Sequence, residues 1–194
     1  MKKNYLILTL FLSVFLFLFS FDFALTDQSK KKDTFNQREM IDKAKIYFAD
    51  LSEGVGIIIE RSFKDFGQPS AYIEGEEFSG AFFGGVRYGG GKMYFKDGTV
   101  KDIYWNGPSL GFDLGANASR VFTLIYNLEV DNFNKLLGRF PEVEGTLYLA
   151  AGLAINYQKK DDIIITPVRS GIGLRAGVNL GYSKYTEKKS FIPF

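Results

Sequence analysis

Glycine alternates with larger side chains along the C-terminal stretch from Gly171 to Tyr185. As a strand, this stretch has one apolar face and one face nearly devoid of side chains. The apolar face comprises Ile172, Leu174, Ala176, Val178, Leu180 and Tyr182, and the other comprises Gly171, Gly173, Arg175, Gly177, Asn179 and Gly181. Glycine along a strand marks strong bending or a close approach by another group. Strong bending is what a small closed sheet requires, so this segment favours a barrel.

The rest of the chain after Pro69 supports a β fold, because apolar residues there alternate instead of recurring at helical spacing. The predicted strands are Gly80 to Tyr88, Lys92 to Phe95, Val100 to Trp105, Ser109 to Leu114, Arg120 to Leu128, Gly145 to Tyr157, Ile163 to Val168 and Gly171 to Tyr185. The predicted breaks are Gly89-Gly90-Gly91, Asp97-Gly98, Asn106-Gly107-Pro108, the loop Gly115-Ala116-Asn117 and a short helix from Asp131 to Leu137.

We therefore predict a mainly β protein, a small closed or nearly closed antiparallel β-barrel of about eight to ten strands. A sandwich is the nearest alternative for short strands at this spacing. An outer-membrane barrel is a further alternative, since the chain ends in Phe194. Lys188-Lys189, Pro193 and the helices before the barrel fit that alternative poorly, so a soluble barrel is favoured.

One or two short helices are predicted before the barrel. Thr34 and Gln37 have the spacing of a capping box, and a first apolar stripe follows until Gly54. That stripe comprises Met40, Ala44, Tyr47, Phe48 and Leu51, and a second comprises Val55, Ile58, Ile59, Phe63 and Phe66. Both stripes are expected to face the core. The β-branched run Ile57 to Ile59 leaves a strand open as the alternative for the second.

The N-terminus has the layout of a secretory signal peptide, with Lys2 and Lys3 before an apolar run from Leu6 to Phe19. That run is short for a membrane span. The residues before Ala24 make a poor cleavage site, so an uncleaved inner-membrane anchor is the alternative. We predict a signal peptide at 1–24, a polar linker at 25–33, a helical segment packed on the barrel at 34–67, and the barrel domain at 68–194.

Composition excludes several kinds of chemistry. The chain has no cysteine and no histidine, so disulfides, thiolate nucleophiles, Cys/His zinc sites and Ser-His-Asp triads are impossible. Its 24 basic and 22 acidic residues give a net charge of +2. This charge is too small to indicate a nucleic-acid-binding protein. We expect no cofactor, no nucleotide, no nucleic acid and no enzymatic activity, and we expect a monomer.

Three short motifs resemble functional sites without the context that those sites need. Gly107 to Gly111 matches the nucleophile elbow, but no histidine can activate Ser109 and a strand is predicted after it. Gly171 to Ala176 fits the dinucleotide fingerprint, but it lies within a predicted strand. The carboxylate clusters at Glu74, Glu76 and Glu77 and at Asp161-Asp162 lack the spacing of a calcium loop and are interpreted as solvated turns.

A candidate functional cluster is predicted around the turns that precede Ser109 and Ser170. It comprises Trp105, Ser109, Asp113, Arg120, Arg139 and Arg169. An Asp–Arg bridge that fixes barrel closure is the structural alternative for it. A second set of aromatic residues on strands suits either a core or an amphiphile pocket. This set comprises Trp105, Phe112, Tyr126, Tyr148, Tyr157 and Tyr182.

The stretch Tyr104-Trp105-Asn106-Gly107-Pro108-Ser109-Leu110-Gly111-Phe112-Asp113 resembles a signature of the envelope integrity protein A (EipA-like) family. Further similar stretches are Ala71 to Glu77, Arg87 to Gly89, Ala118 to Arg120, Leu124 to Leu128, Gly138 to Pro141, Gly145 to Gly152, Pro167 to Gly171, Gly181-Tyr182 and Pro193-Phe194. The resemblance covers about Phe66 to Phe194. It implies a periplasmic β-barrel of Gram-negative bacteria that is required for envelope integrity, with no established catalytic or ligand-binding residues.

A weaker similarity to SYLF lipid-binding domains covers Gly111 to Gly115, then Val121 to Asn127 and Phe133, with Asp113 in place of their glutamine. Three functions follow as hypotheses. The first is a binding module for an envelope lipid or other amphiphile. The second is a structural protein that recognises another envelope component, such as an envelope protein. The third is a histidine-free hydrolase that acts on an envelope polymer through converging carboxylates or a serine with a lysine.

Overall fold

A computed structural model describes residues 33–49, 52–80, 85–109, 117–143, 146–170 and 181–190. The predictions for the signal peptide, for most of the linker, for Asp113 and for most of the strand Gly171 to Tyr185 lie outside these residues. Within the described part of the chain, no helix has the length and hydropathy needed to cross a membrane.

The first helix, α1, spans Gln37–Phe48. Asn36 is its N-cap, and the side chain of Asn36 accepts a hydrogen bond from the Glu39 N–H at 2.9 Å. The predicted capping box at Thr34 is therefore wrong, and the Thr34 hydroxyl instead donates to Gln68 at 2.6 Å. A buried stripe of Met40, Ala44 and Phe48 packs α1 onto the sheet.

The second helix, α2, spans Ser52–Phe66, so the helical interpretation of this segment is confirmed and the strand alternative is wrong. Gly54 lies inside α2, although it was predicted to end the helix before it. The first helix ends earlier, at Ala49, which has a φ of 48°. A Cβ atom at Gly54 would lie 2.6 Å from the carbonyl oxygen of Ala150. The glycine thus serves close helix–strand packing, not helix termination.

Ten strands follow within the described residues. They are β1 Ala71–Gly80, β2 Gly85–Phe95, β3 Val100–Ser109, β4 Asn117–Tyr126, β5 Gly138–Pro141, β6 Tyr148–Ala150, β7 Leu153–Ile155, β8 Gln158–Lys160, β9 Ile163–Ser170 and β10 Tyr182–Thr186. A 3₁₀ helix, Val130–Leu136, precedes β5. The mainly β fold with two N-terminal helices is confirmed.

The strands form one antiparallel sheet in the order β5-β10-β3-β2-β1-β4-β9-β7-β6, and β8 also pairs with β9. The sheet curls until the chain after β5 meets β8. There Glu142 forms a bridge with Gln158, and the Val143 N–H donates to the Tyr157 carbonyl at 2.8 Å. These contacts, called the seam below, make the sheet a nearly closed barrel.

Two apolar cores lie on opposite faces of the sheet. The outer core lies between the helices and the sheet and includes Phe35, Met40, Phe48, Ile58, Tyr72, Phe122, Leu124 and Tyr126. The inner core fills one part of the barrel interior and includes Ile73, Met93, Ile103, Trp105, Phe133, Phe140, Ile165 and Tyr185. Period-2 alternation explains this division, since Tyr72 and Ile73 are neighbours that face different cores.

Several predicted strand boundaries are wrong. The first strand, β1, ends at Gly80, where the sequence predicted a strand to begin. Strand β2 runs through Gly89-Gly90-Gly91, and β3 runs through Asn106-Gly107-Pro108. These glycines permit close approaches inside continuous strands: a Cβ at Gly89 would overlap the Trp105 ring, and one at Gly107 would overlap the Tyr182 carbonyl. Conversely, the predicted strand Gly145 to Tyr157 divides into β6 and β7, which are joined at Ala151 and Gly152, both with positive φ.

Candidate functional site

A buried charged group lies inside the barrel next to the inner core. Glu77 and Arg169, only 6% and 5% exposed, point inward from β1 and β9. Arg169 Nε donates to Glu77 Oε1 at 2.9 Å, and Trp105 Nε1 donates to Glu77 Oε2 at 2.8 Å. Arg169 Nη1 also donates to Asn156 Oδ1 at 2.8 Å. We call these four residues the Glu77 cluster.

A second group of polar side chains lies beside the seam, and we call it the seam cluster. It comprises Arg87, Glu142, Gln158, Ser183 and Tyr185. Arg87 Nη2 lies 2.5 Å from Glu142 Oε1 and donates to Ser183 Oγ at 3.0 Å. Gln158 Nε2 donates to the same Ser183 oxygen, and the Tyr185 hydroxyl donates to Gln158 Oε1, both at 2.9 Å. The seam cluster thus joins β2, β10 and β8 to the chain that follows β5.

Period-2 alternation places these polar groups inside. Ile73, Gly75 and Glu77 follow one another on the inward face of β1, and Ile165, Pro167 and Arg169 do so on β9. In both strands the isoleucine packs in the inner core, and the charged residue lies four positions further along the same inward face. An ion pair in such a position is retained only when each member has a partner, because a lone buried charge is costly.

The electrostatics of the interior link the two clusters. Burial acts to raise the pKa of Glu77, but the nearby charges of Arg169 and Arg87 outweigh burial and hold the pKa below its usual value. Burial likewise acts to lower the pKa of Arg169, and Glu77 raises it overall. Burial raises the pKa of Tyr185, which interacts electrostatically with the charged groups of both clusters, Arg169, Arg87, Glu77 and Glu142. Glu77 and Arg169 are therefore ionised in the folded protein, and Tyr185 is neutral.

Among the described residues of the two clusters, three buried side-chain atoms have no hydrogen-bond partner: Arg87 Nε, Glu142 Oε2 and Asn156 Nδ2. Two are donors and one is an acceptor, so ordered water is suited to bridge them. Among the described residues, no group of three or more carboxylates is placed to hold a metal ion.

The pH dependence of stability should report the Glu77 cluster. Because the pKa of Glu77 is lowered on folding from its usual 4.5, its contribution to stability is present above that value. The contribution is lost as the pH falls through the lower folded pKa. The difference in unfolding free energy between the native chain and a Glu77→Gln variant should therefore shrink from about pH 7 to about pH 3. Urea unfolding across this range measures it, and a constant difference would contradict the lowered pKa.

The predicted functional cluster is divided by the structure. Trp105 and Arg169 are brought together through Glu77. Arg120 is exposed, and its Nη1 donates to the Tyr47 carbonyl at 3.2 Å. Arg139 is exposed, with its guanidinium 5.1 Å from the centre of the Tyr182 ring.

Ser109 ends β3 opposite Gly85, and Asp113 lies outside the described residues. The carboxylate that pairs with Arg169 is that of Glu77, which was predicted to lie in a solvated turn with Glu74 and Glu76. That prediction is wrong, because all three glutamates lie in β1.

Sequence reasoning missed most of the interior polar residues. Arg87, Glu142, Asn156, Gln158 and Ser183 carry no motif. The available signal was strand phase: Glu77 and Arg169 each share period-2 alternation with apolar residues of the same strand. Glu77 is four residues after Ile73 and therefore lies on the same face of β1, so assigning Ile73 to the interior also assigns Glu77 to it.

Comparisons with known proteins agree with this architecture. Residues 33–194 match the sequence profile of a family described as envelope integrity protein A. A crystal structure from Brucella abortus, described as a beta-barrel-like, uncharacterized protein, is 41% identical to this chain and has a TM-score of 0.74. The match covers 84% of this chain and 99% of that one. No curated protein sequence matches the chain. The profile match extends over most of the sequence, and the chain belongs to the envelope integrity protein A family.

Proposed function

We propose that this chain is a non-enzymatic periplasmic protein that supports the cell envelope through its outer surface, with the barrel as a filled scaffold. The observation that carries the proposal is the content of the interior. The inward positions of the described strands hold large buried side chains, among them Trp105, Phe140 and Tyr185, together with the arginine–glutamate pairs.

An apolar ligand inside the barrel fits this interior poorly. A hydrocarbon chain beside Glu77 or Arg87 would offer no hydrogen bonds to charged groups that are already out of water, and such groups are costly without polar partners. The interior therefore favours a protein that acts through its surface over a binding module that holds a lipid inside the barrel.

A hydrolase that uses Glu77 and Glu142 is also disfavoured. A general acid needs a carboxyl group whose pKa is raised toward the working pH. The pKa of Glu77 is lowered instead, and both carboxylates are tied to arginines. This arrangement suits stabilisation of the barrel.

Genetic complementation tests the proposal. The double variant Glu77→Gln/Arg169→Met removes both charges of one pair while residue 77 keeps an acceptor for Trp105. In a strain that lacks the gene, this variant should restore resistance to detergent as well as the native chain does, provided that periplasmic extracts contain it in folded form. Loss of resistance with a folded variant would point to an interior ligand or to catalysis and would overturn the proposal.

A second measurement applies if the double variant does not fold. Native mass spectrometry of the unmodified chain, purified from the periplasm and extracted for lipids, should show the mass of the protein alone. A bound lipid at one molecule per chain would contradict a filled scaffold.

A further inference from the structure

The two ends of the barrel differ in character, and strand direction defines them. Strands β1, β3 and β9 finish at the end where β2, β4 and β10 begin, and we call this the upper end. Helix α1 starts at the lower end, where the Phe35 N–H donates to the Pro69 carbonyl just before β1. It finishes toward the upper end, where Arg120 contacts Tyr47.

Exposed apolar side chains gather toward the upper end. Seven large apolar residues of the described chain are strongly exposed, and Val100, at the lower end of β3, is one of them. The other six are Ile46, Ile57, Phe78, Val143, Leu147 and Leu149. Scattered single exposed residues would need no explanation, but six on one half of a barrel do.

Each of these six belongs to an element that reaches the upper end. Phe78, 55% exposed, is two residues from the end of β1. Ile46, 81% exposed, is in the last turn of α1, and Ile57 is one turn after Gly54, which contacts Ala150. Val143, Leu147 and Leu149 lie on the segment that leads from β5 to the turn between β6 and β7.

Charged side chains are exposed at both ends, and at the upper end they include Glu53, Glu76 and Arg120. The lower end differs because, among the described residues, Val100 is its only strongly exposed large apolar side chain. The connections at the lower end carry exposed charges of both signs, which are strongly hydrated. These are Lys96, Asp97, Glu129, Asp131, Lys135, Lys159, Asp161 and Asp162. An interface that removes water therefore suits the upper end and not the lower.

The distribution of the apolar residues points to a lipid surface as the partner. The six residues come from four elements on the side of the barrel that carries the helices, and they do not line one groove, so they suit shallow insertion into a deformable plane. Arginine–tyrosine pairs stand among them: the Arg61 guanidinium lies 4.5 Å from the centre of the Tyr148 ring, and Arg139 lies similarly over Tyr182. Tyrosine rings favour the headgroup level of a membrane, and arginine pairs well with lipid phosphates.

We propose that the upper end of the barrel rests on the surface of a phospholipid bilayer, with Phe78 and Leu149 inserted among the headgroups. The inference rests on the proposed function, since it names the partner of the outer surface. It places the lower end away from that bilayer.

Site-specific fluorescence tests the orientation, and the absence of cysteine makes single labels clean. Full-length chains with Phe78→Cys, Leu149→Cys or Lys135→Cys are labelled with an environment-sensitive dye and added to vesicles of phosphatidylglycerol and phosphatidylethanolamine. Dyes at 78 and 149 should shift to shorter wavelength and be quenched by brominated lipid. The dye at 135, on the lower end, should do neither, even if the N-terminal segment tethers every chain alike.

A matched pair of substitutions completes the test. With the dye at 149, Phe78→Glu should abolish quenching, whereas Val100→Glu at the lower end should leave it unchanged. Equal quenching at both ends, or quenching at neither, would overturn the bilayer proposal. The complementation result would then still decide the proposed function, because it changes only the interior and leaves the upper end intact.

Discussion

Replacing Arg169 with methionine should lower the free energy of unfolding by about 3–5 kcal/mol. The substitution leaves the Glu77 carboxylate buried without its counter-ion, and it leaves Asn156 without the donor that now lies 2.8 Å away. Removing one member of a buried pair is costly because the remaining carboxylate loses its counter-ion and keeps only the Trp105 N–H as a hydrogen-bond donor. Urea unfolding at neutral pH measures the loss.

A surface ion pair provides the matched control. Lys92 and Asp102 lie 2.8 Å apart, close to the 2.9 Å of the buried pair, but both side chains are more than half exposed. Lys92→Met should therefore change the unfolding free energy by about 1 kcal/mol or less. If Arg169→Met costs no more than Lys92→Met, the Glu77 cluster is not a stabilising element of the barrel.

Replacing Gly89 with alanine should destabilise the barrel by about 2 kcal/mol or more, although alanine is the smallest possible addition. The new methyl group would overlap the Trp105 indole. That ring has little space in which to move, since it also lies against Gly75 and its Nε1 is bound to Glu77. The expected result is a lower urea midpoint together with a change in tryptophan fluorescence, because Trp105 is the only tryptophan in the chain.

Gly56 is the control for this substitution. It lies within α2, and apart from its chain neighbours and the backbone of its own helix, no atom lies within 4 Å of the position that its Cβ would occupy. Gly56→Ala should therefore raise stability by about 0.5–1 kcal/mol through helix propensity and reduced freedom of the unfolded chain. A destabilising Gly56→Ala, or a neutral Gly89→Ala, would contradict the packing described for these glycines.

The helices and the class of the fold were predictable because their signals are local. The stripe of Met40, Ala44 and Phe48 has helical spacing, and alternation after Pro69 has strand spacing. Strand boundaries were less predictable. Gly89 to Gly91 has the composition of a turn, but strand β2 continues through it. The Trp105 ring and the backbone of β1 occupy the space that side chains would fill at Gly89 and Gly91.

The sequence by itself determined that this is a mainly β chain with two helices before the strands, and that chemistry based on cysteine or histidine is impossible. Tertiary structure decided which polar residues matter. Glu77 and Arg169 are 92 residues apart, and Arg87 and Glu142 are 55 apart, so no local pattern could pair them. Pairing of β1 and β9 with β4, which lies between them, brings the first pair together, and the curling of the sheet closes the seam and joins the second. Because of this long-range pairing, Glu77, which the sequence places in a solvated cluster, is the buried partner of Arg169.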